Sequence, residues 1–535
     1  MTNSSKCAVC GVPASLKCMA CKQVYYCGKE HQKIHWKKGH KAECKCYEIT
    51  RNELLGRHIR ATRDIKLGEI ILREPPLIYG PKVATVPLCL GCHRKLATPV
   101  GNYYKCKGCA WPLCGPDCEK SPHHKDECAL MAARKFSAKI DYKAGNDQTG
   151  KKESAYCVIL PLRCMLLKQK NPAQYEQFAE LEDHLQERLD TPMYKVLRAN
   201  LLTFIKTILG MTDWSEEEIL RVAARLDTNT FEVRQTMENR RVRAIYPLAA
   251  MLSHDCISNT RHTFDEQMNI IFIAKQPIAK GDIICTSYTQ PLKSTLMRRE
   301  HLALAKCFQC TCKRCQDPTE MNLFVGAVLC HKCKVGKIIS TNPMNNSAVW
   351  HCQLCPHQLP AKQINLGNMA MLKEIESLDK TSVKAFEEFL HRYRDILHEK
   401  NTHVLQVKYA LTQLYGNAPG FSLQEMNDAA IKRKIDLCQE LLEVADVLDG
   451  GWSIFRGNLL LDLQEAMFVQ TKREFLNGLL TQSATQEKFL ESMQLLKEAI
   501  DIMKLEPDMK QTLNERTQLL ARELEMEESN EGSNF

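Results

Sequence analysis

Paired cysteines and histidines constrain the fold of this chain more than any other feature of its sequence. Two sets of eight such residues repeat the same order of four close pairs near the N-terminus. The first set consists of Cys7, Cys10, Cys18, Cys21, Cys27, His31, His40 and Cys44, and the second of Cys89, Cys92, Cys106, Cys109, Cys114, Cys118, His124 and Cys128. Because two closely spaced ligands can reach one tetrahedral ion, each set predicts a finger of about 40 residues that holds two zinc ions.

Two further cysteine clusters lie in the middle of the chain. One has only three members, one ligand short of a closed structural zinc site, so that its fourth ligand must come from elsewhere. Its members are Cys310, Cys312 and Cys315. The other has the two-knuckle spacing that predicts a small zinc ribbon. Its members are Cys330, Cys333, Cys352 and Cys355.

The 27 cysteines of this 535-residue chain favour metal binding over disulfide bonds. Residues 1–6 have no apolar signal core, so we expect reduced thiols and a location in the nucleus and/or the cytoplasm. No apolar run approaches the roughly 20 residues that a membrane span requires. We therefore expect no membrane association.

The formal charge of +10, from 73 basic and 63 acidic residues, does not by itself indicate nucleic-acid binding. Six zinc ions bound by 21 thiolates would lower this charge by nine, to about +1. We therefore expect no direct binding of nucleic acid. A basic run in the first finger would suit an acidic partner, but we interpret it as a solvated helix face; it contains Lys33, Lys37, Lys38 and Lys41.

A repeated pattern flanks the second finger and the segment after it. Residues 59–72 and 272–284 each predict a strand, a glycine-containing turn and a second strand. Six residues of the first copy match residues 213 positions later: Ala61, Ile65, Gly68, Glu69, Ile70 and Ile71 pair with Ala274, Ile278, Gly281, Asp282, Ile283 and Ile284. Residues 172–226 between them have the apolar spacing of helices. The pattern predicts an α+β protein whose β core is interrupted by a finger and a helical insert.

These features, together with several local motifs, resemble the SET and MYND domain (SMYD) family. The motifs are Tyr246-Pro247, residues 252–259 (LSHDCISN), Gly281-Asp282 followed by Tyr288, and residues 307–312 (CFQCTC). The additional N-terminal finger and the ribbon are similar to the arthropod-specific branch of that family.

The resemblance implies a multidomain α+β fold with a split, β-rich SET core. The implied domains are a MYND finger (1–46), the N-terminal part of the SET domain (50–88), a second MYND finger (89–128), a helical SET insert (129–240), the SET core (241–305), a post-SET zinc site (306–318), a zinc ribbon (319–362), a helical domain similar to tetratricopeptide repeats (363–527) and a disordered tail (528–535).

The family consists of protein-lysine methyltransferases that use S-adenosylmethionine. The resemblance therefore implies methylation of a histone or another protein in the regulation, by repression, of gene expression. It also implies about six structural zinc ions, proline-rich peptide partners for the fingers, and a monomer.

The resemblance assigns roles to individual residues. Tyr288 matches the active-site tyrosine, and Cys256 matches the fourth ligand of the post-SET zinc. The positions that match cofactor-binding residues are Arg57, Asn229, Ser253, His254 and Phe308.

Three positions depart from the family pattern. Ser253 replaces an asparagine that hydrogen-bonds the cofactor, His58 replaces a glycine, and Lys306 replaces a tyrosine. Serine has fewer donors and acceptors than asparagine. Two hypotheses therefore stay open, an active lysine methyltransferase, which we favour, and a catalytically weak or inactive corepressor or scaffold that binds partners through its fingers.

The C-terminal third has apolar residues at helical spacing, in 386–397 and again in 489–500. A capping box at Ser483–Gln486 is predicted to begin the second of these helices. The acidic, polar end of the chain, from Glu523 onward, is predicted to be disordered.

Overall fold

The structure, a computed structural model, describes residues 6–19, 24–40, 44–96, 103–139, 155–235 and 240–531. It divides into two compact units: one comprises Met1–Cys44, Leu72–Leu252 and His262–Ile271, and the other Lys45–Ile71, Ser253–Arg261 and Phe272–Phe535. None of the described helices combines the length and the apolar character needed to cross a membrane.

The first unit contains both fingers. Each finger has a short antiparallel hairpin followed by a helix. The hairpins are Leu16–Lys17 with Tyr25–Tyr26 and Tyr104–Lys105 with Pro112–Leu113, and the helices are Lys29–His35 and Lys125–Ala133. The two fingers therefore share one local architecture, as the repeated spacing predicts.

The second finger shares a hydrophobic core with the helical insert. The Trp111 ring packs against Tyr156 with 4.9 Å between ring centroids, and the Tyr156 hydroxyl donates to the Leu88 carbonyl. The helices of the insert are Ile159–Lys170, Pro172–Ala179, Leu185–Arg188, Pro192–Leu202 and Glu216–Asn229. The last helix begins at a capping box, in which the Ser215 hydroxyl and the Glu218 carboxylate each accept from the other's backbone N–H.

A three-stranded antiparallel sheet completes the first unit. Its strands lie in the order Ile78–Gly80, Arg240–Ile245 and Phe231–Gln235. Ala244 pairs with Tyr79 on one side of the central strand and with Phe231 on the other. The helical part of the insert thus ends at Asn229, before the predicted boundary at 240.

The β core of the second unit shows how the two copies of the repeat are used. Ile65 and Ile278 exchange backbone hydrogen bonds of 2.8 and 3.0 Å. On either side, the Ala61 N–H donates to the Asp282 carbonyl and the N–H of Ala274, the residue equivalent to Ala61, donates to the Glu69 carbonyl. The two copies therefore pair with each other about a local two-fold axis.

The remaining strands of this unit are short. Tyr47–Asn52 and Gly56–Ala61 form an antiparallel hairpin, and Ser253–His254 lies parallel to Cys285–Thr286. The ribbon is a four-stranded antiparallel sheet of Val328–Leu329, Lys337–Ser340, Trp350–Cys352 and Gln358–Leu359. The strands Ile70–Glu74, Thr260–Phe264 and Ile270–Ala274 contain points where the chain passes from one unit to the other.

Helices make up the rest of the second unit. Thr295–Lys306 precedes the three-cysteine cluster, and Lys313–Gln316 contains its last member, Cys315. The C-terminal helices are Ala361–Ser377, Val383–Tyr393, Thr402–Leu414, Asp428–Leu448, Ile454–Leu476, Gln482–Met503 and Lys510–Glu531. The predicted core positions Phe386 and Phe489 are buried. The last helix extends to Glu531, so the tail predicted to be disordered is helical up to that residue, and residues 532–535 lie outside the described part of the chain.

The C-terminal helices contact the β core within this unit. Arg261 donates to the Glu506 carboxylate at 2.7 Å, and the buried ammonium of Lys275 pairs with Asp449. The Trp452 N–H donates to the Lys275 carbonyl at 2.7 Å. These contacts fix the helical domain to the core segment on which Ser253–His254 also lies.

Candidate active site and zinc centres

A parallel strand pair brings the predicted cofactor residues Ser253 and His254 close to the predicted catalytic Tyr288. Ser253 pairs with Cys285 and His254 with Thr286 in the parallel strand pair, and the Asp255 N–H donates to the Thr286 carbonyl at 3.2 Å. Tyr288 follows this strand by two residues. Residues that are 34 positions apart in sequence therefore lie side by side.

His254 holds the backbone of Tyr288 in place. Its Nδ1 accepts a hydrogen bond from the Tyr288 N–H at 2.9 Å, so Nε2 carries the proton of the neutral ring and faces Cys256 Sγ at 3.3 Å. Burial lowers the pKa of His254 to about 4, which keeps the ring neutral at physiological pH. Both ring nitrogens are thus engaged within the protein. A contact of His254 with a cofactor would use its ring face or its backbone.

Three aromatic rings meet at this point. The His254 ring lies 5.3 Å from the Tyr288 ring and 5.9 Å from the Phe308 ring, measured between centroids. Cys307, which adopts a left-handed conformation with φ of 57°, directs Phe308 away from the preceding helix. Burial raises the pKa of the Tyr288 phenol well above its usual range, and Cys285 adds to the shift. The hydroxyl therefore stays protonated and can both donate and accept a hydrogen bond.

The structure supplies the fourth ligand of the post-SET cluster. Cys256 joins Cys310, Cys312 and Cys315, with its Sγ 3.9 Å from that of Cys310 and 3.5 Å from that of Cys315. Cys256 also contacts His254, so the metal cluster and the aromatic cluster share one residue.

Sequence reasoning missed a buried arginine that contacts this cluster. Arg298, with 0% of its surface exposed, directs Nε to Cys256 Sγ at 3.2 Å and Nη2 to Cys315 Sγ at 3.5 Å. Its Nη1 donates to Glu320, which also accepts from Arg314. Burial opposes the negative charge of Glu320, but the two arginines outweigh it and hold its pKa below the usual range. Nothing in the sequence of the helix Thr295–Lys306 distinguishes Arg298 from a surface arginine, so its contact with the cysteines could not be predicted.

In the second finger, the ligand pairs alternate between two clusters. Its first and third pairs form one cluster and its second and fourth form the other, and the first and third pairs of the first finger also form one cluster. The described clusters are Cys7, Cys10, Cys27 and His31; Cys89, Cys92, Cys114 and Cys118; and Cys106, Cys109, His124 and Cys128. In the first finger, Cys18 and Cys44 approach to 3.4 Å between sulfurs and His40 is buried, while Cys21 lies outside the described residues.

The ribbon cysteines also converge, with 3.6 Å between the sulfurs of Cys330 and Cys355 and 3.7 Å between those of Cys333 and Cys352. Tetrahedral zinc with Zn–S bonds of about 2.3 Å separates its sulfurs by about 3.8 Å. The observed spacings fit this geometry and are too long for disulfides. The clusters therefore fit closed structural zinc sites.

One zinc ligand of the second finger is fixed by a buried charged network. His124 turns Nε2 toward Cys109 Sγ at 3.6 Å and Nδ1 toward the Glu127 carboxylate at 3.2 Å. Arg163 donates to both oxygens of Glu127, at 2.6 and 2.8 Å, and its Nη1 lies 2.7 Å from His93. A carboxylate on the second nitrogen orients a metal-binding histidine and increases its basicity.

The other predicted cofactor residues are placed as follows. Arg57 lies in the hairpin strand opposite Arg51, and the neighbouring His58 is buried with Nδ1 3.1 Å from the Gly56 carbonyl.

Asn229 belongs to the first unit, where its amide donates to the carbonyls of Glu182 and Arg225, each at 2.8 Å. Both amide hydrogens of Asn229 are therefore engaged, and its oxygen is the atom left for a ligand. The cofactor roles of Arg57 and Asn229 stay predictions.

Comparison with known proteins gives two family matches. The MYND finger matches residues 7–44 and the SET domain matches residues 56–289. The chain is 27% identical over 357 residues to SET domain-containing protein SmydA-8, isoform B, of Drosophila melanogaster, covering 64% of this chain and 75% of the relative. It is 26% identical to histone-lysine N-methyltransferase ASHR1 of Arabidopsis thaliana, covering 51% and 55%, and 25% identical to N-lysine methyltransferase SMYD2-A of Xenopus laevis, covering 50% and 61%.

A solved structure, the SET domain of LSMT bound to lysine and AdoHcy, covers 83% of this chain and 91% of that chain at 11% identity. Its TM-score of 0.28 is too low for any structural argument.

Proposed function

This chain has the MYND finger and the SET domain of the SET and MYND domain family, and from that premise we propose that it is an S-adenosylmethionine-dependent protein-lysine methyltransferase. The observation that carries the proposal is the His254–Tyr288 contact, in which an engaged histidine fixes the predicted catalytic tyrosine beside Phe308 and a complete four-cysteine cluster. Relatives named as lysine and histone-lysine methyltransferases support it.

S-adenosylmethionine, when bound, supplies a methyl group that its sulfonium already activates. The chain's own residues must then hold a lysine amine in the neutral state and in line with that methyl. Desolvation of a lysine that enters the site disfavours its ammonium form and lowers its pKa. In this proposal, the protonated Tyr288 hydroxyl would accept from the amine and orient it, and the Phe308 ring would pack on the adenine.

The post-SET cluster would stabilise this arrangement without taking part in the chemistry. Its four cysteines leave no position for a substrate, and Cys256 connects them to the His254 ring at 3.3 Å. Loss of zinc would release the segment that carries Phe308. We therefore expect activity to depend on zinc, although the metal has no catalytic role.

The substrate proposed is a histone or another protein, in the nucleus and/or the cytoplasm, with regulation of gene expression as the outcome. The relative named as a histone-lysine N-methyltransferase supports a histone as the substrate. The proposed substrate rests on similarity, and the proposed location rests on the sequence of residues 1–6.

A second candidate function is that of a scaffold, and one observation in the first finger favours it. This finger has an open hollow of about 370 Å³, lined mainly by apolar surface from Cys18, Met19, Gln32, Lys33, Trp36 and Lys37. The exposed side chains of Met19 and Trp36 would suit a proline-rich peptide, the partner class that the resemblance implies.

The corresponding residues of the second finger contact each other. Glu119, at the position equivalent to Gln32, accepts from the Lys107 N–H at 2.7 Å and from the Tyr104 hydroxyl at 2.9 Å. We therefore propose that peptide docking belongs to the first finger and that the second is a structural part of the SET region. Loss of a bound proline-rich peptide in Trp36→Ala, with retention in Glu119→Gln, would test this assignment.

Calorimetric titration of S-adenosylmethionine into the zinc-loaded chain tests the enzyme proposal. We expect micromolar binding and methylation of histone lysines by the wild type, and loss of methylation with retained binding in Tyr288→Phe. Ser253→Asn should bind more tightly, since one additional hydrogen bond contributes about 1 kcal/mol. A wild type that binds no cofactor, with binding recovered in Ser253→Asn, would instead support the scaffold.

A further inference from the structure

Lys306 lies against the predicted catalytic tyrosine. It is the last residue of the helix Thr295–Lys306, and the left-handed Cys307 that follows reverses the chain toward Phe308. The Lys306 Nζ lies over the Tyr288 ring, 5.3 Å from its centroid, and the side chain is half-buried. An ammonium at this distance from an aromatic face is attracted by the ring quadrupole.

This contact puts a lysine amine of the chain itself beside the tyrosine that, in the proposed function, orients the acceptor amine. His254 fixes the backbone of Tyr288 by accepting from its N–H, and the Lys306 Nζ covers one face of the Tyr288 ring. The neighbouring basic residue Lys313 is exposed, at the start of the helix Lys313–Gln316 and between the cysteines at 312 and 315. Of these two lysines, Lys306 is the one that contacts the Tyr288 ring.

We infer that Lys306 is a methyl acceptor within this chain, which would therefore modify itself before or in place of an external protein. The inference rests on the proposed methyltransferase function and names a substrate for the same site. It also gives a role to the lysine that replaces the family's tyrosine.

The reaction balances with S-adenosylmethionine as the only co-reactant. The lone pair of the neutral Nζ forms the new N–C bond, and the C–S bond breaks with its electron pair passing to sulfur. The products are S-adenosylhomocysteine and Nζ-methyllysine at position 306, and one proton passes from the nitrogen to solvent. Because donor and acceptor are held by one chain, the rate per molecule should not depend on protein concentration.

The first experiment uses the zinc-loaded full chain and S-adenosylmethionine with a deuterated methyl group. Peptide mapping by mass spectrometry should find the label on Lys306, with no change in fractional labelling when the protein is diluted tenfold. Lys306→Arg should lose this label entirely, while the matched control Lys313→Arg keeps it. Tyr288→Phe should reduce it strongly.

The second experiment needs no cofactor. Brief treatment with acetic anhydride should modify Lys306 about two- to fivefold more slowly than Lys313, because Lys306 is half-buried against the Tyr288 ring and Lys313 is exposed. Tyr288→Leu should remove much of this difference while the zinc content and the helical circular dichroism signal stay unchanged. Equal rates in the wild type would contradict the contact on which the inference depends.

The outcomes separate the two proposals. Cofactor binding and histone methylation with an unlabelled Lys306 would overturn the self-modification and leave the proposed function intact. Label on external lysines that increases in Lys306→Ala, with none on Lys306 in the wild type, would also overturn it, since Lys306 would then only occupy the site. Absence of cofactor binding by calorimetry would overturn both.

Discussion

At the scale of single residues, the zinc ligands depend on neighbours that spacing does not reveal. Glu127 is 1% exposed and lies between the ligand His124 and the guanidinium of Arg163. Its carboxylate thus orients a ligand and neutralises a buried cation. Arg298 serves the post-SET cluster in a comparable way, with a cation directed at two thiolates.

Glu127→Gln should weaken zinc retention in the second finger. Loss of the carboxylate removes the charged partner of the His124 ring, and such changes reduce metal affinity about 10- to 100-fold. Competition with a chromogenic chelator measures the effect. Asp126→Asn is the control, because this neighbour forms an exposed pair with Lys170. Equal zinc release by the two variants would show that the network has no role in metal binding.

His403 should make stability depend on pH. Burial lowers its pKa to about 4, and its Nε2 lies 3.1 Å from the Asn368 amide oxygen. The unfolded chain, with a histidine pKa of about 6.5, takes up the proton first as pH falls, so stability is lost between about 6.5 and 4.

The corresponding loss for His403 is about 2 kcal/mol between pH 7 and pH 5. Chemical denaturation of the wild type and of His403→Gln at both pH values measures it. The glutamine amide can still donate to Asn368, so the variant should lose about 2 kcal/mol less than the wild type on acidification. Identical pH dependence of the two proteins would contradict a buried neutral His403.

At the scale of elements, local signals located the helices but misplaced the start of one C-terminal helix. The capping box predicted at Ser483–Gln486 is wrong, because the helix Gln482–Met503 begins earlier, with Thr481 as its N-cap. The Thr481 hydroxyl accepts from the Ala484 N–H at 3.3 Å. Both residues precede the same apolar stripe, and only backbone conformation decides which of them lies outside the first turn.

Thr481→Ala should therefore destabilise the C-terminal helical domain by about 1 kcal/mol, the usual contribution of an N-cap side chain. Ser483→Ala, inside the first turn, should change stability by less than about 0.5 kcal/mol. Urea unfolding followed by circular dichroism compares them. A larger effect for Ser483→Ala would restore the capping box that the sequence favoured.

At the scale of the whole molecule, the turn at Gly68 connects the β repeat with the helical domain. Gly68 has φ of +77°, and a Cβ built on it would lie 2.2 Å from the Trp452 ring. Gly56 offers a matched comparison, since it has φ of +62° but nothing within 4 Å of such a Cβ.

Both Gly68→Ala and Gly56→Ala should lose about 1 to 2 kcal/mol from the left-handed backbone. Gly68→Ala should lose about 2 kcal/mol more, because the Trp452 ring must move from packed surroundings. Thermal unfolding with tryptophan fluorescence as the probe measures the difference. Equal losses would mean that Trp452 does not pack on this turn in solution.

The sequence by itself determined what depends on contacts between near neighbours. Close ligand pairs identified the zinc fingers and the ribbon, since a chelating pair needs only a few residues of backbone. The short pattern that recurs 213 positions later identified two strand–turn–strand segments. Apolar spacing identified the C-terminal helices. The motifs around His254 and Tyr288 identified the SET region in advance of any contact between them.

Only the tertiary structure decided which distant groups meet. It showed that alternate ligand pairs share a metal site, that Cys256 completes the post-SET cluster, and that the two repeat copies pair with each other through Ile65 and Ile278. It also placed Arg298 on two thiolates and Lys306 on the Tyr288 ring. These outcomes depend on the path of the chain through space, because charge neutralisation and ring contact act over a few ångströms whatever the separation in sequence.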